Sequence, residues 1–450
     1  MNIDKHSFFP KTQGYSIKLV VIVLVLILFI PPIAMVRNLI FERSQRSTAA
    51  VEEVIASWGG RLQITSPMIG IPYHYFVYTK NEDQETVRRK IEETLIILPS
   101  EFALGIEAPV EKRNRGIYSI PVYTAPVTGT GIFVINEALE SVRDDAVIEY
   151  DRAYVALSMS SLKGISVMSP LTWNRTETSF EPAVLPLQIY DGEIKAPVEI
   201  DSSGGSYSFA FELVAKGGGL IEHIPLARET TMQMSSGWPA PSFYGEFLPS
   251  VRDITDEGFT ARWDISYLSR NLPGHFIAGE IDQYRFLNTS FGVRFMEPVS
   301  AYSLNERSIK YAWLFLLVPF ITFFLFEVLQ NIRIHPVQYL LAGAADIVFY
   351  LLLLSASEHI SFNAAYLAAA AAVTLLLTLY SGSILGKKQS GALMGIILAS
   401  GYLYLFVVLQ SEDYALLYGS VGLFIILAIV MFVTRNVKWY RRPEKNLSGT

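Results

Sequence analysis

The sequence predicts a polytopic α-helical membrane protein, with a large β-rich extracytoplasmic domain between one N-terminal and five C-terminal transmembrane helices. Three observations favour this fold class. The 450-residue chain is 51% hydrophobic and only 17% charged, a balance typical of membrane proteins. Six stretches are apolar over about 20 residues, the length that crosses a bilayer. Between the first two of them, residues 37–309 contain short alternating runs and turn clusters that predict β-strands.

Composition also excludes several classes of protein and site. The net charge of −6 argues against nucleic acid as a partner, because such proteins carry basic patches. The chain has no cysteine, which excludes disulfides, thiolate catalysis and cysteine-based zinc sites. The predicted domain must therefore be stabilised by a hydrophobic core, and residues 37–309 are long enough to bury one.

The first apolar stretch is predicted to be an uncleaved signal anchor. Its apolar run is too long for a signal peptide, and no small-x-small cleavage site precedes Arg37. Pro31 and Pro32 fall near its far end, where a broken backbone is tolerated. The six predicted spans are Ile17–Val36, Lys310–Leu329, Gln338–Ser357, Ser361–Tyr380, Gly391–Leu409 and Ala415–Val433.

The cations of the short loops predict the orientation of the spans. Arg333 follows the second span, Lys387 and Lys388 follow the fourth, and five further cations follow the sixth, whereas the alternate loops have none. Because cations favour the cytoplasmic side, we expect both termini in the cytoplasm of a bacterium and the long loop in the periplasm. The expected divisions are residues 1–16 (cytoplasmic tail), 17–36 (anchor), 37–309 (periplasmic domain), 310–433 (five-helix block) and 434–450 (cytoplasmic tail).

Within the long loop, "RSTAAVEEVIASW" (residues 46–58) predicts a helix that continues out of the membrane. After Gly59 and Gly60 the pattern changes, and runs such as "GIYSIPVYTAPV", "AYVALSMSSL", "SYSFAFELVA" and "FTARWDISYL" show partial alternation. Strands at this spacing predict a sandwich or a strongly curved antiparallel sheet.

Three irregular segments of the domain need separate interpretations. "VTGTGIF" (residues 127–133) lacks the third glycine of a nucleotide loop, so we interpret it as a hairpin turn, and "AKGGGL" (residues 215–220) as a turn or flexible loop. "SGWPAPSFYGEFLPS" (residues 236–250) is interpreted as a rigid segment, with a peptide- or lipid-binding loop as the alternative. It would pack through Trp238, Phe243, Tyr244 and Phe247.

The motifs of common enzymes are missing from the sequence. It has no HExxH, no GxSxG and no P-loop. His74, His223 and His275 lack the spacing of metal ligands and are expected to be ordinary domain residues. We therefore expect no metal, no cofactor and no catalytic residues.

Five polar residues in or beside the C-terminal spans are the candidate functional residues: Glu327, His335, Asp346, Glu358 and His359. The predicted topology places the first two at the cytoplasmic side and the last two at the periplasmic side. That separation argues against a single active site formed by this set.

Asp346 lies roughly 12 Å into its span at 1.5 Å per residue. An ionised acid near mid-membrane costs about 2.5–3.5 kcal/mol on insertion scales, so this side chain should face the bundle and be neutral or paired. The hydroxyls at the same depth or one turn away belong to Thr322, Ser400 and Tyr350, and we expect these to bond it.

Two further features of the spans predict close packing or docking. "GALMG", from Gly391 to Gly395, has the GxxxG spacing that allows close helix approach, although chance explains it equally well. Glu358 and His359 occupy a short loop, where they would dock against the domain, against Arg307 or Lys310, or simply cap a helix hairpin.

Several of these residues carry a family resemblance. "HPVQYLL" (residues 335–341) is followed about 20 residues later by "SEH" (residues 357–359), then by Thr434-Arg435-Asn436 and Trp439-Tyr440. In the long loop, "IGIPY", "GIYSIPVY" and "WPAPSFYGEFLP" occur in the same order. In these segments, which span most of the chain, the sequence resembles the CreD family of bacterial inner-membrane proteins. The resemblance implies a role in cell-envelope integrity, a link to a two-component stress response and to colicin tolerance, and no established enzymatic activity.

The sequence therefore favours a non-enzymatic inner-membrane protein whose periplasmic domain binds or stabilises an envelope component. The expected partners are the lipid bilayer and an envelope protein, lipid or peptidoglycan component. One alternative is a transporter or flippase-like protein using Asp346 and Glu327, and another is a membrane-facing enzyme. A transporter predicts matching broken helices in an internal repeat, whereas Pro319 is a mid-helix break without a counterpart.

Overall fold

The computed structural model describes residues 13–80, 86–295, 300–330, 332–411 and 414–435. These residues form two compact units. The helical unit contains the described residues up to Ser47 and from Ser300 onward, and the β-domain contains those from Thr48 to Phe295. Most of the predicted tails, residues 1–16 and 434–450, lie outside the described residues.

Eleven α-helices occur in the part of the chain that the structure describes. In chain order they are α1 (Gln13–Leu28), α2 (Ile30–Trp58), α3 (Asn136–Glu140), α4 (Tyr267–Arg270), α5 (Gln283–Leu287), α6 (Ala301–Lys310), α7 (Ala312–Gln330), α8 (Pro336–Ser357), α9 (Phe362–Ile384), α10 (Lys388–Gln410) and α11 (Ala415–Thr434).

Six helical segments are long and apolar enough to cross a membrane, one near the N-terminus and five near the C-terminus. They are Lys18–Trp58, Ala312–Gln330, Pro336–Ser357, Phe362–Ile384, Lys388–Gln410 and Leu416–Thr434. The predicted fold class is confirmed, and so is the helix over residues 46–58, which is the end of α2. The helical conformation is interrupted at Phe29, between α1 and α2. Pro31 and Pro32 therefore fall in the first turn of α2, where a missing backbone N–H group is tolerated.

The helices pack closely where their side chains are small. A Cβ atom on Gly343 of α8 would lie 2.5 Å from the ring of Phe29, so the glycine makes room for that ring. A Cβ atom on Gly391 of α10 would lie 2.7 Å from the Cα atom of Gly382 on α9, and one on Gly395 would lie 2.4 Å from the Oγ1 atom of Thr378. The close approach predicted from the GxxxG spacing is thus confirmed.

The strands of the β-domain are short at the edges and long in the middle. They are β1 (Leu62–Thr65), β2 (Met68–Lys80), β3 (Thr86–Ile97), β4 (Glu101–Glu107), β5 (Val110–Arg115), β6 (Tyr118–Val134), β7 (Val147–Ile148), β8 (Tyr154–Met159), β9 (Ile165–Met168), β10 (Leu171–Trp173), β11 (Thr176–Thr178), β12 (Glu181–Pro182), β13 (Gly192–Pro197), β14 (Ser206–Gly218), β15 (Leu220–Ile224), β16 (Glu229–Ser236), β17 (Pro241–Gly245), β18 (Val251–Thr255), β19 (Gly258–Ser266), β20 (His275–Ile277) and β21 (Phe291–Phe295).

These strands form two sheets that share the main hydrophobic core of the domain, which confirms the sandwich among the two predicted arrangements. The first sheet has the order β17-β21-β15-β1-β8-β2-β3-β20, and the second has the order β11-β10-β14-β6-β4-β16-β19-β18. Most pairs are antiparallel, but β1 pairs with β15 and β4 pairs with β16 in parallel. Rings from the two sheets meet between them, as where Phe102 lies 5.7 Å from the ring of His223 and Tyr123 lies 5.6 Å from that of Phe295.

The hairpin turn predicted for "VTGTGIF" is wrong, because these residues lie inside the 17-residue strand β6. Gly129 and Gly131 pair with Phe211 and Phe209 of β14, and a Cβ atom on either glycine would lie within 2.5 Å of the facing ring. The glycines therefore provide space for two core aromatic rings and do not reverse the chain.

The prediction for "AKGGGL" is also wrong in part. Residues 216–218 continue β14 and pair with β6, so only Gly219, at φ +77°, makes the turn into β15. In "SGWPAPSFYGEFLPS" the predicted packing through Phe243 is confirmed, whereas rigidity and the binding alternative stay predictions. Residues 241–245 form β17, and Phe243 packs edge-on against Phe259 and Trp263.

Candidate functional site

The buried polar side chains of α8 lie along one face of the helix. Tyr339, Asp346, Tyr350 and Ser357 are spaced by seven, four and seven residues, close to whole turns of an α-helix. All four are buried within the helical unit. We call these four residues the α8 polar stripe, and each of the three sites along it involves a different partner helix.

At the N-terminal end of the stripe, a buried carboxylate meets a cation from α1. Lys18 forms an ion pair with Glu327 of α7, and its Nζ atom also donates to the carbonyl of Ile334 at 2.8 Å. The hydroxyl of Tyr339 donates to the second oxygen of Glu327 at 3.3 Å. Glu327 thus ties α1, α7 and α8 together, and its charge is compensated within the bundle.

In the middle of the stripe, Asp346 is 2% exposed and bonds to α10. The hydroxyl of Tyr402 donates to its Oδ1 atom at 3.1 Å. Among the described residues, neither Asp346 Oδ2 nor the hydroxyl of Tyr350 has a hydrogen-bond partner. Asp346 therefore faces the bundle as predicted, but the expected bond to Tyr350 is not formed.

The two other partners predicted for Asp346 are wrong. Thr322 donates to the carbonyl of Val318 at 2.7 Å, and Ser400 donates to that of Ile397 at 2.9 Å, each within its own helix. Short hydroxyl side chains commonly bond back to the preceding turn, whereas a tyrosine hydroxyl reaches across to a neighbouring helix.

At the C-terminal end of the stripe, α6 and α2 supply the partners. Asn305 of α6 donates to the hydroxyl of Ser357 at 2.8 Å. Glu358 accepts a hydrogen bond of 3.1 Å from Tyr302, and its Oε1 atom lies 3.9 Å from Nε of Arg43. These partners differ from the suggested Arg307 and Lys310, and the latter lies 4.0 Å from Glu306. Docking of Glu358 against the β-domain stays a prediction.

The two candidate histidines lie at opposite ends of α8. His335 caps the helix: its Nδ1 atom accepts from the backbone N–H of Val337, and its own N–H donates to the side chain of Gln338. His359 is exposed just beyond the C-terminal end. The 22 residues of α8 span roughly 33 Å, so the structure does not bring the five candidate residues together.

Sequence reasoning missed the partners more than the acids themselves. The ion pair of Lys18 could have been predicted, because a cation inside an apolar stretch needs a partner or an interface. The bonds of Tyr402 and Asn305 could not have been predicted, since the sequence does not determine which face of a helix meets which neighbour.

The β-domain buries ionisable groups in a different way. Burial lowers the pKa of His223 to about 3, and its Nδ1 atom bonds to the carbonyl of Ile64 at 3.0 Å. Glu222 accepts hydrogen bonds from Tyr244 at 2.7 Å and from Tyr190 at 3.4 Å, and burial raises the pKa of both phenols. Within the described ranges, no group of three or more histidine and acidic side chains could hold a metal ion.

A model of one protein family, described as "Inner membrane protein CreD", matches residues 14–440. The chain belongs to the CreD family. A relative from Escherichia coli K12 with the same name is 31% identical over 416 residues, which cover 92% of this chain and 91% of that protein. The CreD match thus spans both the helical unit and the β-domain, and the chain is a multi-pass inner-membrane protein in contact with lipid.

Two solved structures show a faint likeness to this CreD protein. An M1 zinc metallopeptidase from Deinococcus radiodurans has a TM-score of 0.21 and 10% identity, with 38% of each chain covered. A putative protease from Parabacteroides distasonis has a TM-score of 0.23 and 10% identity, with 68% of this chain and 59% of that chain covered. Similarity this weak indicates neither a shared fold nor a shared activity.

Proposed function

We propose that this protein supports the integrity of the bacterial cell envelope without catalysing a reaction. Both termini would lie in the cytoplasm, and residues 37–309 would form a periplasmic domain that binds or stabilises an envelope component. The observation that carries the proposal is the family match over residues 14–440, which covers both the helices and the sandwich. The envelope role comes from the family resemblance.

The contacts along α8 support an anchoring role for the helices. Glu327 bonds to side chains of α1 and α8, Asp346 to one of α10, and Ser357 to one of α6. Polar bonds between helices hold a bundle together in lipid, where apolar contacts alone do not select partners. We infer that Glu327, Asp346 and Glu358 fasten helices, and that His335 and His359 terminate α8.

The orientation can be tested with single cysteines, because the chain has no native cysteine. A cysteine at the exposed Asp201 should react with an impermeant thiol reagent added to intact cells whose outer membrane has been permeabilised. Cysteines at Lys388, and at Lys445 outside the described residues, should react only after the inner membrane is opened. Labelling of the Lys388 variant as readily as the Asp201 variant would contradict the six-span topology.

The envelope role can be tested in an Escherichia coli strain that lacks its own CreD protein. We expect the full chain to reduce leakage of a periplasmic enzyme under detergent stress. A chain in which residues 48–298 are replaced by a flexible linker should not, although it inserts to the same level. Equal protection by both chains would exclude a role for the domain. Mass spectrometry of material that co-purifies from native membranes would then identify a bound lipid, peptidoglycan fragment or protein.

A second candidate function, transport or lipid flipping, rests on a specific observation. Asp346 Oδ2 and the hydroxyl of Tyr350 are buried one helical turn apart, and neither has a hydrogen-bond partner among the described residues. Unsatisfied polar groups inside a membrane often mark an ion or proton path. Substitution of Asp346 distinguishes this function from anchoring.

A further inference from the structure

Three arginines contact or belong to the turn that follows β19 in the β-domain. The guanidinium of Arg228 lies 4.6 Å above the ring of Tyr267, which begins this turn. Arg270 belongs to the turn itself, and Arg285 donates from Nη2 to the carbonyl of Asn271 at 3.5 Å. We call Arg228, Arg270 and Arg285 the arginine cluster.

Among the described residues, no carboxylate bridges the arginine cluster. Across the described residues, none of its three members forms an ion pair. Arg270 is 4% exposed, and its Nε and Nη1 atoms are enclosed with no hydrogen-bond partner. Burial and the nearby charge of Arg228 lower the pKa of Arg270 to about 10, so it remains charged at neutral pH. A buried charge without a partner is costly, so a negative charge placed near Arg270 would stabilise it.

Among the described arginines of the domain, Arg270 lacks an ion pair and is also buried, whereas six others pair with carboxylates. On β19, the strand before the turn, Arg262 donates to Asp264 at 2.9 and 3.0 Å. Arg113, Arg115 and Arg143 likewise pair with neighbouring carboxylates.

The acids close to the cluster have other partners or point into solvent. Glu280 accepts from the backbone N–H of Ile277 at 3.1 Å, and Asp282 caps α5 through the N–H of Tyr284 at 3.0 Å. Glu229 is exposed, and its charge favours the charged form of Arg270 without bonding to it. Glu229 could therefore compete with a bound anion for the positive charge of Arg270.

We propose that the arginine cluster binds an anionic group of the phosphate or carboxylate type. The exposed Arg228 and Arg285 would make the first contacts, and Arg270 would add positive charge beneath them. The planar fork of a guanidinium matches two oxygens of such a group, and charge-assisted bonds of this kind are strong. The same chemistry is present in free phosphate and in a phospholipid headgroup. The proposal goes beyond the envelope role and does not depend on it.

The test is equilibrium dialysis of the full chain in detergent against radiolabelled inorganic phosphate, with ionic strength held constant by chloride. We expect saturable binding of phosphate that acetate displaces at higher concentration. Arg228→Gln and Arg285→Gln, both at exposed positions, should each weaken binding about tenfold, the factor expected for one charged hydrogen bond. Arg262→Gln, on β19 and paired with Asp264, is the matched control and should leave binding unchanged.

Two further measurements sharpen the test. Glycerol phosphate that competes more strongly than inorganic phosphate would identify a lipid headgroup as the source, and equal competition would identify free phosphate. Glu229→Gln should tighten phosphate binding without lowering the thermal unfolding temperature. Absence of saturable binding of phosphate and acetate would overturn the proposal. So would a Glu229→Gln protein that unfolds at a lower temperature, because Glu229 would then be the counter-ion of Arg270.

Discussion

The helical unit and the β-domain satisfy their buried polar groups differently. Along α8, the polar side chains bond mainly to side chains of other helices, as Asp346 does to Tyr402 and Glu327 to Lys18. In the sandwich, several core polar side chains bond to backbone carbonyls instead, although Glu222 bonds to two tyrosine hydroxyls. The hydroxyl of Tyr123 donates to Leu220 at 2.7 Å, and Nε1 of Trp263 donates to Phe247 at 3.3 Å.

The difference follows from the two solvents. In water, burial of apolar surface drives the sheets together, and polar atoms need only a local partner. In lipid, apolar side chains gain little from leaving the hydrocarbon, so hydrogen bonds and close packing must select the neighbouring helix. We therefore expect the stability of the domain to be most sensitive to truncation of apolar side chains, and the stability of the bundle to be most sensitive to loss of polar pairs.

The largest effect is expected from Trp263→Ala in the sandwich core. Trp263 is fully buried and packs against Phe243 and Phe291, so its truncation should lower the free energy of unfolding of the domain by about 3–5 kcal/mol. Denaturant unfolding followed by domain fluorescence measures this loss. Arg262→Ala, an exposed neighbour on β19, is the control and should cost under about 0.5 kcal/mol. A loss below the control value would show that the core does not depend on this ring.

The next effect is expected from Lys18→Met in the helical unit. The substitution leaves Glu327 buried with Tyr339 as its sole partner among the described residues, which should cost about 3 kcal/mol of bundle stability. A second change, Glu327→Leu, should recover most of that loss in the double variant, as measured by unfolding in mixed detergent micelles. Strictly additive losses would mean that the two side chains do not interact.

The buried histidine of the domain predicts a dependence of stability on pH. The pKa of His223 is about 3 in the folded protein and about 6.5 in an unfolded chain. Between these values the unfolded state binds the extra proton, so folding stability falls as pH drops below about 6.5, by about 2 kcal/mol at pH 5. Thermal unfolding of wild type and His223→Gln across this window measures the effect. Parallel pH curves for the two proteins would exclude His223 as the cause.

A smaller effect is expected where α9 and α10 approach each other. Gly391→Ala places a methyl group against Gly382 and should cost about 1 kcal/mol of bundle stability. Ala392→Leu adds a larger group at an exposed position of the same helix, and it should leave stability unchanged. Equal effects of the two substitutions on stability would show that α9 and α10 are not tightly packed at Gly391.

The sequence predicts the helical unit more completely than the domain, for a physical reason. A lipid environment imposes long apolar runs, so the predicted span Gln338–Ser357 differs from the observed helix Pro336–Ser357 by two residues. The sequence identifies Asp346 as a buried acid. It does not identify Tyr402 as the partner, because packing sets the rotation of each helix about its axis. In the domain, cross-strand pairing decides the role of a glycine, and Gly129 therefore lies in a strand and not in a turn.

The central claim is that the polar groups along α8 fasten helices together and do not conduct ions or protons. Asp346→Asn tests it most directly, because the amide retains an acceptor for Tyr402 but cannot ionise, whereas Asp346→Leu removes the bond. Folded yield in detergent and protection of the cell envelope are measured for both variants. The account predicts that Asp346→Asn matches wild type in both measurements, and that Asp346→Leu lowers folded yield with a loss of about 1 kcal/mol. An Asp346→Asn protein that folds well but no longer protects the envelope would contradict the claim and favour proton-coupled transport.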